Sequence, residues 1–243
     1  METLLLTWTI QPNPNILFLN IKDPLVRYSQ YVQNIIKYIC FSDADAIVFC
    51  ENSWFEIKDY DTLMGIAKIF GKKLEILQFD GDHKKAVEKW RWFGESEIIE
   101  YAIQNSRLIE ESWQFIKITW RYRCKNINAI IHWSKDKEAC FCKLMPASLL
   151  RLNTKGINTA LFKTTVWFFN KVLTGAGEEV NDSKIIFLEH IYYKRLKKIA
   201  KKIRPLPQYP KMRGFTWAWG VLKKWVLTEA IMQILHRLWI NNI

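Results

Sequence analysis

The sequence predicts an α/β domain with a mostly parallel central sheet, followed by a basic helical C-terminal appendage. Three observations carry that expectation. Apolar runs of strand length alternate with stretches whose apolar residues recur at helical spacing, through about the first 145 residues. Of the 243 residues, 49% are hydrophobic and 14% aromatic, which is enough to bury a core and excludes a disordered or collagen-like chain. The formal net charge of +12 is unevenly placed. No acidic residue lies between Glu189 and Glu229, where eleven Lys and Arg fall, so the rest of the chain is nearly neutral. The expected division is therefore a catalytic-type domain over 1–193 and a basic amphipathic segment over 194–243.

The elements follow in order. Leu4 to Ile10 reads as a strand closed by QPNPN, whose prolines forbid regular structure. A short apolar run, 16–21, precedes KDP, and Pro24 opens a helix to Ile39. Asp45 to Ser53 is a buried strand ending in polar residues, DYDTLMGIAKIFG a helix stopped at Gly71, and Lys73 to Phe79 the next strand. Gly94 and Glu95 open a helix, ESEIIEYAIQNSRLI, with carboxylates in its first turn where the helix dipole favours them. Phe115 to Tyr122 is a strand, and so are NINAIIHW and ACFCKLM. Helices follow over TTVWFFNKVL and IIFLEHIYYKRLKKIAKKI, separated by a turn at GAG, and the chain closes with VLKKWVLTEAIMQILHRLWI. In open sheets of this kind ligands collect at the carboxyl ends of the strands, here ENS, DGD and TWRY.

Chemistry-bearing groups concentrate at those ends. Asp80 and Asp82 directly follow an apolar strand and have the spacing to hold Mg²⁺ or Mn²⁺, although Gly-Asp is also ordinary turn chemistry. Lys89 and Arg91 precede the helix expected at Gly94, whose free N–H groups suit a phosphate, against the plain alternative of a solvated loop. Lys117, Arg121, Arg123 and Lys125 alternate, which predicts one strongly cationic strand face. Acid or base candidates are Glu95, Glu189 and His190, the last two adjacent and so not a dyad. His83 and His132 read as ordinary surface or core residues. No P-loop, dinucleotide fingerprint or Ser/His/Asp set is present, and Cys140 and Cys142 lack partners for a zinc set. Five cysteines without a secretory leader predict a reducing, cytosolic setting, and no run reaches the ~18 apolar residues of a membrane span.

The order DPLVRYSQY, IVFCENSW, KWRWFGESEIIEYAIQNS, FIKITWRYRCKN and FLEHIYY resembles a family of bacterial cell-surface polysaccharide glycosyltransferases, of capsule, O-antigen or lipooligosaccharide type. That family's pattern is D-P-x-x-R-x-x-Q-Y, V-x-E-N-S-G, K-G-x-G-Y-G-E and K-I-T-G-R-Y, and the resemblance spans about 200 residues. It implies a nucleotide-diphospho-sugar transferase (GT-A-like) fold and transfer of a hexose from a nucleotide sugar to a lipid-linked or cell-surface glycan. It implies donor binding by Glu51, Asn52, Lys89, Arg91, Gly94, Lys117, Thr119 and Tyr122. Catalytic roles fall to Glu95 or Glu189 as base and to Arg121 at the diphosphate, with a divalent metal available through Asp80 and Asp82. The basic segment suits an anionic membrane surface, which places the enzyme on the inner face of the cytoplasmic membrane. The competing classes are a nucleic-acid-binding protein, in which the same lysines meet phosphate, and an inactive homologue.

The departures from the pattern share one form. Trp stands at 54, 90, 92 and 120, and at 217 or 219, where the family has Gly, and the chain holds 12 Trp against 9 Gly where ordinary usage gives about 17 glycines. Either aromatic groups fill altered loops, or UGA codons that mean Gly were read as Trp. UGG codons at 90, 92 and 120 exclude the second explanation.

Overall fold

The computed structural model describes residues 1–14, 21–89, 91–119, 122–142, 156–181, 184–199, 204–213, 233–234 and 236–237, with Arg91 described by its backbone alone. The apolar runs Thr3–Trp8 (β1), Ala46–Glu51 (β2), Lys73–Gln78 (β3) and Gln114–Thr119 (β4) pair in parallel in the order β3-β2-β1-β4. Both faces of β1 and β2 are covered, so they read as continuous hydrophobic runs and not as alternating ones. Leu161–Thr165 (β7) then adds antiparallel to β4, Ala139–Phe141 (β6) antiparallel to β7, and Arg204–Pro205 (β8) parallel to β6. The result is a seven-stranded, mostly parallel α/β sheet. Arg123–Cys124 (β5) pairs separately with Met212–Arg213 (β9).

Pro24–Phe41 (α1), Tyr60–Ile69 (α2) and Ile127–Ser134 (α6) pack on one face through Tyr31, Ile35, Leu63, Ala67, Ile130 and Ile131. Arg91–Asn105 (α4), Arg107–Ser112 (α5), Val166–Val172 (α7) and Leu188–Lys197 (α8) cover the other. The short helix His83–Glu88 (α3) precedes α4 and buries no residue. Between β3 and β4 the chain crosses from the outer edge to the far side of β1. That crossing makes the gap between β1 and β4 the switch point of the topology.

Several expectations are corrected. NINAIIHW is the helix α6 and not a strand, because Ile127, Ile130, Ile131 and Ser134 are buried at helical spacing. The helix expected at Gly94 opens at Arg91, since burial recurs at Phe93, Ser96, Ile99 and Ala102; Glu95 therefore lies beyond the first turn. Its tail is a separate helix, α5, capped by the Ser106 side chain on Ile109 N–H. In TTVWFFNKVL the two threonines belong to β7, and Thr165 then caps α7 at Phe168 N–H. The final amphipathic stretch, 221–240, lies mostly outside the described residues, but its Gln233 and His236 touch the body of the domain. Gln233 Nε2 donates to the Tyr209 carbonyl at 2.6 Å, and His236 Nε2 lies 2.6 Å from that of Leu206.

Candidate active site at the ends of the parallel strands

The end of β1 is held from α1. Asp23 caps that helix by accepting from the N–H groups of Leu25 and Val26, and Pro24 supplies its first turn. One turn apart, Arg27 and Tyr31 then both reach the Thr9 carbonyl, Arg27 Nε at 3.1 Å and the Tyr31 hydroxyl at 2.9 Å. The DPLVRYSQY segment thus fixes the backbone where β1 opens into the crevice.

At the end of β2, the buried Glu51 carboxylate accepts from the backbone N–H groups of Ile10, Ser53 and Phe55 and from the Ser53 hydroxyl. Burial raises its pKa, opposed by those four donors. Glu51 therefore shapes the ENS turn instead of presenting a free carboxylate. Asn52 is oriented by two partners: its Oδ1 accepts from the Thr9 hydroxyl at 2.6 Å, and its Nδ2 donates to Glu97 Oε2 at 3.4 Å. Glu97 Oε1 in turn accepts from Asp82 N–H at 2.8 Å, and burial raises its pKa. A Cβ on Gly81 would sit 2.7 Å from Glu97 Oε2 and 3.1 Å from the Asn52 carbonyl oxygen, so a larger residue there would displace the Glu97 carboxylate. Thr9 and Glu97 were not among the expected site residues; the second carboxylate of E-S-E was the available signal.

On the β4 side, Lys117 is wholly buried. Its ammonium donates to Glu95 Oε1, to Thr119 Oγ1 at 2.7 Å and to the Thr159 carbonyl at 2.6 Å. The Thr119 hydroxyl donates to the same Glu95 oxygen at 2.7 Å. Burial lowers the Lys117 pKa, and Glu95 and then Glu189 oppose that shift. Glu189 is buried, and its backbone carbonyl accepts from Ile157 N–H at 3.0 Å. The neighbouring Tyr192 hydroxyl is held neutral by burial and by Glu95, Glu100 and Glu189. Four expected residues, Glu95, Lys117, Thr119 and Glu189, are therefore one cluster. The start of α4 straddles the switch point, with Glu97 reaching the β2 and β3 loops and Glu95 reaching β4.

The remaining expected residues divide between the site and its surroundings. Lys89 binds the Glu178 carboxylate at 2.5 Å and its carbonyl at 2.8 Å, and Gly94 is buried near Asn52. The Tyr122 carbonyl accepts from the Tyr38 hydroxyl at 2.9 Å. His190 Nδ1 accepts from Phe187 N–H at 3.3 Å, at the start of α8. Among the described residues the expected cationic strand face is not seen. The Lys117 charge is buried, Arg123 lies over the Phe41 ring at 5.7 Å beyond the end of β4, and Arg121 and the Arg91 side chain are outside the described residues. Asp80 and Asp82 do not fit a divalent cation as arranged. Asp80 faces His83 at 2.8 Å, while Asp82 caps α3 at Lys85 N–H with the Lys85 ammonium 4.0 Å away. Among the described residues no cluster of three His, Cys, Asp or Glu is placed to bind a metal. Cys140 and Cys142 are buried thiols, Cys140 pushed up to about 12 by burial, which disfavours a thiolate ligand.

The tryptophans divide. Trp54 is two-thirds exposed with φ +51°, and so is Trp113, with φ +55° in the left-handed position that ends α5, a place where glycine is the usual residue. Trp113 was not among the expected positions. Trp92 sits in α4 near Phe187 and carries no such requirement, while Trp90, Trp120, Trp217 and Trp219 lie outside the described residues.

No protein-family model matches the chain, and no curated protein is similar to it in sequence. Solved structures similar to it include a Desulfovibrio desulfuricans G20 protein classed as a nucleotide-diphospho-sugar transferase, at 9% identity and TM-score 0.47, covering 84% of this chain and 79% of that one. Mouse xyloside xylosyltransferase 1 in its apo form matches at 9% and 0.42, covering 85% of each chain. HddC from Yersinia pseudotuberculosis matches at 8% and 0.37, covering 71% of this chain and 80% of its own. At such values the likeness adds nothing to what the strand order already shows.

Proposed function

We propose that the chain is a nucleotide-sugar-dependent glycosyltransferase of GT-A-like fold, acting on a lipid-linked or cell-surface glycan. The observation that carries this reading is convergence. Segments as far apart as Asn52, Glu95 to Glu97, Lys117 to Thr119 and Glu189 meet, with Thr9, around one switch-point crevice, and all but Thr9 fall in the segments in which the sequence resembles such enzymes. In this reading the donor's nucleoside lies over the Asn52 amide and its anomeric carbon near Glu95. The leaving diphosphate carries the charge that must be stabilised, and Arg121 and Arg91 are the cations assigned to it. The exposed Lys194, Lys197 and Lys198 begin the basic segment that faces an anionic acceptor surface.

The test is a binding and hydrolysis screen with UDP-glucose, UDP-galactose, UDP-N-acetylglucosamine and GDP-mannose. Saturable binding of one of them, with slow release of its nucleotide, is expected. No binding of any of the four, by a folded protein, overturns the reading. Vesicle flotation with phosphatidylglycerol against retention of RNA at equal salt separates the membrane role from nucleic-acid binding.

A further inference from the structure

Among the described residues, Lys117 is the cation of the expected donor set whose charge is fully enclosed. Its three hydrogen-bond partners, Glu95, Thr119 and the Thr159 carbonyl, match the three donors of an ammonium and leave none for a phosphate. Glu95 is the opposite case. Its Oε1 receives both Lys117 and Thr119, whereas Oε2 has no partner among the described residues, and the side chain keeps 13% exposure. A carboxylate pinned at one oxygen by an ion pair and a hydroxyl, with its other oxygen open, is held in one orientation. Such a group is equipped to accept a proton at a fixed point. Glu189, the alternative base, is 6% exposed and lies deeper.

We propose, resting on the glycosyltransferase reading above, that Glu95 is the base of the reaction, and that Lys117 and Thr119 are positioning residues for it and not ligands of the diphosphate. The acceptor oxygen attacks the anomeric carbon as the bond from that carbon to the diphosphate oxygen breaks. The hydroxyl proton passes to Glu95 Oε2, and the nucleoside diphosphate leaves with the bonding electron pair. The proposal therefore implies a single displacement with inversion at the anomeric carbon.

The experiment uses whichever nucleotide sugar the wild type binds, with water as acceptor, and reads donor affinity by calorimetry and kcat by nucleotide release. Glu95→Gln is expected to lose about a hundredfold or more in kcat with donor affinity unchanged. Thr119→Val, which removes one bond to Oε1 and keeps the shape, is expected to lose about tenfold in kcat at constant affinity, and Thr119→Ser to restore it. Lys117→Met, if it folds, is expected to bind donor as the wild type does. A fall in donor affinity of tenfold or more in the Lys117 variant, or kcat within twofold of wild type for Glu95→Gln or Thr119→Val, overturns the proposal. Because these readings require a wild type that binds a donor, failure of the transferase reading shows itself earlier and separately.

Discussion

Lys117 and Lys163 lie on neighbouring strands of one sheet, each almost fully buried, on opposite faces. Burial lowers the pKa of both. The difference is in what surrounds each ammonium. Lys117 has an ion pair, a hydroxyl and a carbonyl at the crevice, while Lys163 Nζ has no hydrogen-bond partner among the described residues. The groups acting on Lys163 are Cys140, Glu2, Asp136 and Glu138, at longer range. A buried charge is costly unless paired and hydrogen-bonded, so the sheet tolerates one lysine by full compensation and the other by making its neutral form easier to reach.

The largest effect that sharpens this contrast is loss of the compensated charge. Lys117→Met leaves the Glu95 carboxylate without its ion-pair partner and is expected to cost about 3–5 kcal/mol of stability, read by urea denaturation. A double variant that also carries Glu95→Gln should recover part of that loss. An equal loss in single and double variants breaks the pairing argument.

Lys163→Met should move the other way, stabilising the fold at neutral pH by about 1–3 kcal/mol because an unsatisfied buried donor is removed. The sign with pH follows from the lowered pKa. The unfolded chain binds the proton more readily, so wild-type stability rises as pH climbs from the folded pKa of Lys163 toward the ordinary 10.5. The advantage of the variant should therefore shrink over that interval, as chemical denaturation at pH 7 and pH 10 would register. A destabilised Lys163→Met at both pH values contradicts the comparison.

The same distinction between compensated and uncompensated cost applies to the backbone. Gly81 packs so closely on the Asn52 and Glu97 pair that a Cβ there would displace the Glu97 carboxylate. Trp54 and Trp113 adopt left-handed backbone conformations while exposing two-thirds of their surface, so little packing offsets the strain. Trp113→Gly and Trp54→Gly should each stabilise by about 1 kcal/mol, seen as a rise in Tm. If their codons are UGA, these changes restore the encoded residue; UGG at both assigns the strain to the protein itself.

What the sequence reveals divides along similar lines. The strands β1 and β2 are legible because burial on both faces makes them nearly unbroken apolar runs, and β3 and β4 because their apolar residues cluster at strand length between clear helices. The strand β7 is not, because Thr165 ends it and caps α7 with no turn residue between. The helix α6 is short enough for its Ile-rich run to pass for a strand until Ile127, Ile130 and Ile131 are counted at helical spacing. At the site, Glu95, Glu189, Lys117 and Thr119 are recognisable as polar residues among apolar runs, but the partner of each is not. Only the fold reveals that Lys117 faces Glu95, that Glu51 is consumed by its own turn, and that Thr9 and Glu97 orient Asn52.

The central claim is that the crevice binds a nucleotide sugar and that Glu95 acts upon it as base. Calorimetric titration of the bound nucleotide sugar into Glu95→Gln, with nucleotide release followed on the same sample, tests it most directly. The expected result is wild-type affinity with turnover reduced about a hundredfold or more. Wild-type turnover in that variant, or loss of donor binding with it, contradicts the claim.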